Sequence, residues 1–250
     1  MIRKIILMYH SIGRPEAGDR MGLKVSLGNF ERQVDWLIHQ DWEILTVGEL
    51  IRSKLSEKNQ AAISFDDGYR DQLSAANSLH KRGLQGTFFI IPGRAGQTMG
   101  GQTYYSQWKL MGLADLKLLI KYGHEIGGHS YSHPGPLTLQ AKSMIKKEIE
   151  NCHQWIQSFN SGQEIGFSYP HGASSSEVEA SVQKAGFKYA CDSRPGAITG
   201  KPRPFQLPRI EISGFDSLEK VINKIQGNGE VWRRLYYELT KNVWKVQGKI

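Results

Sequence analysis

Three observations in this 250-residue chain predict an α/β fold, a parallel sheet covered by helices. Short apolar runs of strand length recur along it, stretches of helical period separate them, and glycines or capping residues mark several joins. The first strand is Lys4-Ile5-Ile6-Leu7-Met8, ending at Tyr9-His10-Ser11. Phe30, Val34, Leu37 and Ile38 then fall on one helical stripe, with Ser26 or Asn29 as candidate N-cap, and Thr46 with Glu49 reads as a capping box. Ala61-Ala62-Ile63-Ser64-Phe65 reads as a buried strand, followed by a helix from Asp71 to Arg82 that Gly83 stops. Next come the strand Thr87 to Ile91, a helix from Leu113 to Tyr122 and the short strand His124-Glu125-Ile126-Gly127. Met144, Ile145, Ile149, Cys152, Ile156 and Phe159 make the buried face of a long helix. Gly166 to Tyr169, Tyr189 to Cys191 and Leu207 to Ile212 supply the later strands. This pattern permits a closed (β/α) barrel or an open doubly wound sheet.

With 39% hydrophobic and 22% charged residues the chain suits one globular domain over 1–250, without internal repeat, low-complexity segment or dividing linker. The apolar run at the N-terminus is only a strand's length and lacks a small-residue cleavage site, so it is not expected to be a signal peptide. No stretch approaches the roughly 20 apolar residues of a membrane span, and a cytoplasmic location is expected. Cys152 and Cys191 have no framework spacing and are read as free thiols. The formal charge of +8 is spread along the chain without a nucleic-acid motif, so no nucleic-acid partner is expected. The concentrated basic segment is a C-terminal amphipathic helix at about 230–247. Trp232, Leu235, Tyr236, Leu239, Val243 and Val246 form its stripe, with Arg233, Arg234, Lys241, Lys245 and Lys249 around it. Most such helices pack on their own domain; the alternative is a peripheral contact with the inner membrane surface, which would suit a lipid-linked sugar substrate.

Two strand-end clusters carry chemistry. Asp66 and Asp67 follow a buried strand, and Gly68 lets the chain turn sharply after them. His129 and His133 follow another; four positions apart, they are expected to share one face of a helical turn, so their ring nitrogens can converge on a cation that a carboxylate completes. Either cluster alone is often a plain turn or a solvated face. Together they place a metal site and a base at strand carboxyl ends, where α/β folds keep their chemistry. Pro92 to Gln102 is a Gly-rich loop, with Tyr104, Tyr105 and Trp108 beyond it available to stack on sugar rings; it lacks the spacing of a phosphate-binding loop.

These residues resemble the NodB-homology polysaccharide deacetylases, carbohydrate esterase family 4, metal-dependent enzymes that remove acetyl groups from glycans. The resemblance implies an irregular (β/α) barrel of about seven parallel strands. It makes Asp66 the catalytic base and Asp67, His129 and His133 the ligands of a divalent cation, Zn²⁺ first, with Ni²⁺, Co²⁺ and Fe²⁺ as alternatives. The family's Arg-x-Pro-Tyr motif falls on Ser168-Tyr169-Pro170-His171, so the arginine that would orient the base is absent. Tyr169 and His171 are carried over as substrate-binding positions, with the backbone N–H of His171 as the oxyanion donor. The late Leu-x-His that would supply the acid is missing too, since no histidine follows His171. In this the chain is similar to the circularly permuted poly-N-acetylglucosamine deacetylases, whose acid histidine lies on the first strand, and this implies His10. Asp192 is then the expected partner of His10, raising its pKa. Arg194 is read either as a replacement for the missing arginine, pairing with Asp66 near the substrate, or as a surface salt bridge. N-deacetylation of an N-acetylated sugar or polysaccharide, with release of acetate, leads the functional readings. A cytoplasmic amidohydrolase acting on a small amide and a degenerate glycan-binding module follow.

Overall fold

The computed structural model describes residues 2–53, 57–160, 164–200 and 202–247, with side chains given up to residue 239 in the last stretch. The seven expected apolar runs, joined by a short strand at Glu43–Leu45 that the sequence reading did not name, form one eight-stranded parallel sheet. Its strands are β1 (Lys4–Tyr9), β4 (Glu43–Leu45), β5 (Gln60–Phe65), β6 (Thr87–Ile90), β7 (Glu125–Gly128), β8 (Gly166–Ser168), β9 (Tyr189–Cys191) and β10 (Ile210–Glu211). Their order is β10-β1-β5-β6-β7-β8-β9, with β4 paired to the first half of β5 and β6 to its end. Two short strands after the first, β2 (Ser11–Ile12) and β3 (Lys24–Val25), make a separate ribbon.

The sheet closes on itself. Leu207 donates to Ala190 O at 3.0 Å and accepts from Asp192 N at 3.0 Å, while Leu7 pairs with Ile210 three residues on. One stretch of chain thus joins β9 to β1, which decides for the barrel over the open doubly wound sheet. The expected strand Leu207 to Ile212 is shorter as a ladder, because its first residues turn from one neighbour to the other.

Period-two alternation sorts each strand's residues. Ile6, Ala62, Phe89, Tyr189 and Cys191 meet inside the barrel with Leu207. Ile5, Leu7, Ile63, Phe65, Phe88 and Phe167 pack instead with the helices. Helix α2 (Val47–Arg52) fills the lower interior, burying Val47 and Leu50; it opens with the expected capping box between Thr46 and Glu49. Around the outside run α1 (Leu27–His39, capped by Ser26), α3 (Leu73–Lys81), α4 (Leu113–Lys121), α5 (Lys142–Gln157), α6 (Ser176–Ala185) and α7 (Leu218–Gln226). The expected helix from Asp71 begins instead with a tight turn over Arg70–Gln72.

Two expected core residues lie at the surface. Ile38 and Met144 are exposed, and Gln33 and Glu148 are buried on the same helices. Each buried polar group has a task that an apolar side chain could not perform. Gln33 accepts from the Tyr9 hydroxyl at 2.7 Å, and Glu148 holds the chain beside His133. The last helix, α8 (Glu230–Gln247), is present as expected; Val243, Val246, Lys241, Lys245 and Lys249 lie outside the described side chains.

Candidate active site

The carboxyl ends of β1, β5, β7, β8 and β9 converge on one mouth, and the register sets which residues meet there. Tyr9 pairs with Phe65, so His10 follows β1 where Asp66 follows β5. Gln72 ties the two ends together, its side-chain amide donating to both His10 O and Asp66 O at 2.6 Å.

Asp67, His129 and His133 bring one ligand atom each to within 4.8 Å of one another. Nε2 of His129 lies 3.4 Å and Nε2 of His133 3.7 Å from Asp67 Oδ1. His129 reaches Ser168 O through Nδ1 at 2.9 Å, which leaves Nε2 turned to the cluster. Two imidazoles and one carboxylate with open positions are a donor set that fits Zn²⁺ or a similar divalent cation. Burial pushes the His133 imidazole down to about 3, so it is neutral and able to ligate. For Asp67 burial acts upward, but the hydrogen bond from His129 and the nearby His133 outweigh it and hold the carboxyl well below its usual range.

The two histidines do not share a helical turn. Residues 129–136 form a loop in which Ser130 (φ 58°) and His133 (φ 57°) are left-handed. The loop is tied at Ser132, whose N–H and hydroxyl both donate to Glu148 at 2.7 Å and whose carbonyl accepts from Arg94 at 2.8 Å. Asp67 (φ 69°) and His171 (φ 57°) share that conformation, so four of the chain's five described non-glycine residues with positive φ lie in this mouth. Such conformations cost about 1–3 kcal/mol each and persist where surrounding bonds impose them.

Asp66 is held apart from the ligand cluster. Arg209 grips it with two parallel bonds, Nη1 to Oδ1 at 2.7 Å and Nη2 to Oδ2 at 2.8 Å, and Ser168 Oγ donates to Oδ2 at 3.1 Å. Burial alone would raise the Asp66 carboxyl; the guanidinium, then His129, reverses this and keeps it ionised. Arg209 is buried and also donates to Asp192 O at 2.9 Å. It takes the place expected for Arg194. The sequence reading missed it, although a charged residue in the apolar run Leu207-Pro208-Arg209-Ile210 is the kind of signal that marks a buried partner. Ser168, where the family motif has its arginine, bonds both Arg209 and Asp66.

Other expected roles are corrected. Arg194 binds Asp192, Nε to Oδ2 at 2.6 Å and N to Oδ1 at 2.9 Å, rather than Asp66. Both Asp192 oxygens are engaged there, so its charge is matched by Arg194 and not by His10. Tyr169 is fully buried and its hydroxyl donates to Phe205 O at 3.0 Å, which removes its side chain from substrate. His171 does reach the mouth, its ring 5.0 Å from that of His133. His10 is half-buried at the end of β1.

The polysaccharide deacetylase family profile matches residues 53–190, more than half of the chain and the segment that carries both clusters. The chain belongs to the polysaccharide deacetylase family. A putative polysaccharide deacetylase YxkH of Bacillus subtilis is 26% identical over 215 residues, covering 83% of this chain and 71% of the relative. Staphylococcus aureus poly-beta-1,6-N-acetyl-D-glucosamine N-deacetylase is 26% identical over 218 residues, covering 81% and 72%. Among solved structures, Streptococcus pyogenes deacetylase PplD in complex with acetate superimposes with a TM-score of 0.76 at 21% identity, covering 89% of this chain and 98% of that one. IcaB from Ammonifex degensii gives 0.76 at 18% identity, covering 94% and 98%. The barrel with an irregular closure is thus the fold of deacetylases in this family.

Proposed function

We propose that this deacetylase is a divalent-metal hydrolase that removes the N-acetyl group from a sugar of a glycan, releasing acetate and leaving an amine. The observation that carries the reading is the division of labour between adjacent aspartates. Asp67 faces two imidazoles, while Asp66 is gripped by Arg209 with its carboxylate ionised at the same mouth.

Asp67, His129 and His133 would hold the cation, which when bound supplies a Lewis acid and acidifies water. Asp66 accepts the proton from the attacking water, and Arg209 with Ser168 fixes the direction of its oxygens. The backbone N–H of His171 is the donor to the developing oxyanion, an interaction typically worth about 3–4 kcal/mol. His10, on the far side of Asp66 from β7, gives a proton to the leaving nitrogen, because an amide anion is too basic to depart unprotonated.

The lipid-linked form of the substrate and contact with a membrane surface belong to the same reading. They are supported by α8, which leaves Trp232 75% and Leu239 70% exposed beside Arg233 and Arg234. Among the described residues no helix is long and apolar enough to cross a membrane.

The deciding measurement is acetate release from N-acetylated oligosaccharides and from small non-sugar amides, before and after chelation and metal return. The expected result is chelator-sensitive hydrolysis of the oligosaccharides, with His129→Ala losing both bound metal and turnover, because two remaining ligands rarely hold a catalytic cation. Faster hydrolysis of simple amides would make it an amidohydrolase, and full metal content in His129→Ala would remove that ligand.

A further inference from the structure

The ladder between β1 and β5 ends at the mouth with the bond from Asp66 N to Tyr9 O at 2.9 Å. Beyond it the strands part. β1 runs on through His10 into β2, which pairs with β3, while β5 turns away at Asp67 and Gly68, both with φ 69°. The proposed base and proton donor therefore sit where backbone pairing between their strands stops. One side chain spans the gap. Gln72, fully buried, sends both hydrogens of its amide nitrogen across it, to His10 O and to Asp66 O at 2.6 Å each. Both partners are carbonyl oxygens, so only one orientation of the amide serves them. Its Oε1 is left buried with no hydrogen-bond partner among the described residues. An unpaired buried acceptor destabilises a fold, so space filling, which a leucine would do better, does not account for an amide here.

Asp71, one residue earlier, holds the next stretch of the same segment. It accepts from Ser11 Oγ at 2.6 Å and from Ile12 N at 3.1 Å. The tight turn over Arg70–Gln72 thus bonds His10, Ser11 and Ile12 in succession, and it follows closely on Asp66 and Asp67 in the chain. It is itself anchored from a third segment, where Arg70 N donates to Lys109 O at 2.8 Å and Met111 N donates to Gly68 O at 2.9 Å.

We infer that Asp71 and Gln72 are positioning residues that hold His10 in register with Asp66, so that the proton donor stands at a fixed reach from the amide whose attacking water Asp66 deprotonates. The role rests on the reading of His10 as that donor. Asp66 has a separate hold, because Arg209 and Ser168 fix its oxygens directly. Loosening the turn therefore releases His10 and leaves the base in place. A displacement of about 1 Å in a reacting group can cost about 10²-fold in rate.

The test compares kcat for acetate release from an N-acetylated oligosaccharide with kcat for an activated aryl acetate, whose phenolate departs without a proton. Asp71→Ala and Gln72→Leu should each lower the amide rate by about 10²-fold and the ester rate far less, at native metal content. Asp71→Asn can still accept from Ile12 N and donate to Ser11 Oγ, so it should keep the native ratio of the two rates. In a His10→Ala background neither Asp71→Ala nor Gln72→Leu should lower the amide rate further, since a residue acting through His10 has nothing left to act on. A native ratio in Asp71→Ala, equal losses on amide and ester, or a further loss in the His10→Ala background would overturn the positioning role alone. Should Gln72→Leu fail to fold, Asp71→Ala decides, its side chain being 34% exposed. If His10→Ala itself costs amide and ester equally, the proton-donor reading falls and the positioning role with it.

Discussion

Asp66 at the mouth and Glu125 near the floor are both buried carboxyls of one barrel, and their surroundings shift them in opposite directions. Asp66 has a guanidinium on both oxygens and stays ionised. Glu125 accepts from Thr87 Oγ1 at 2.6 Å and from Gly48 N at 3.1 Å, and burial raises its carboxyl above the usual range. One end keeps a charge on the carboxyl proposed as the base. The other keeps a carboxyl that burial makes reluctant to ionise and that seats the first turn of α2, whose Val47 N also donates to Thr87 at 2.8 Å. Buried polarity is thus no mark of function by itself; a buried charge with a dedicated counter-ion, beside strained backbone, is.

The largest expected effect is at the mouth. Asp66→Asn keeps the shape but loses the proton acceptor, so turnover should fall by about 10² to 10⁴ while metal content, measured by elemental analysis, stays near the native level. Near-native turnover would place Asp66 with Glu125 among structural groups and erase the contrast.

Arg209→Met tests whether the charge depends on its partner. It leaves Asp66 buried and unpaired, which typically costs about 3–5 kcal/mol, read by urea denaturation. Adding Asp66→Asn to Arg209→Met removes the orphaned charge and should recover much of that stability without recovering turnover. If the double variant is no more stable than Arg209→Met, the loss comes from Arg209's other bonds, to Asp192 O and Ser168 Oγ.

This pair also shows what a sequence can carry. Seven strands, the capping box at Thr46, the choice of Ser26 or Asn29 as a cap and the grouping of Asp67 with His129 and His133 were legible, because period, capping and strand-end placement are local properties. Arg209 was not, since its bond to Asp66 spans 143 positions and exists only once β10 closes the ring. Of the two readings of Arg194, a partner for Asp66 or a salt bridge elsewhere, the structure shows the second, with its near neighbour Asp192. The helical geometry expected of His129 and His133 failed for a related reason: what shapes that loop is Glu148, on a different element, and Arg94, on another loop.

The smallest effect lies near the floor and concerns pH. A carboxyl whose pKa is raised by folding binds its proton more tightly in the native than in the unfolded chain. Its contribution to stability is therefore complete below the unfolded value, near 4.5, and is lost as pH rises through the folded value. Glu125→Gln keeps a neutral acceptor for Gly48 N and Thr87 but cannot ionise. At acidic pH it should differ from the native chain by about 1 kcal/mol or less, as a shape-conserving change does. Towards neutral pH the variant should gain on the native chain, which alone must either bury a charge or hold a proton against the solvent. Urea midpoints at several pH values from 4 upward read that crossing. Parallel curves for the two proteins would mean that Glu125 ionises as freely inside the barrel as outside it, and the floor would then tolerate charge as the mouth does.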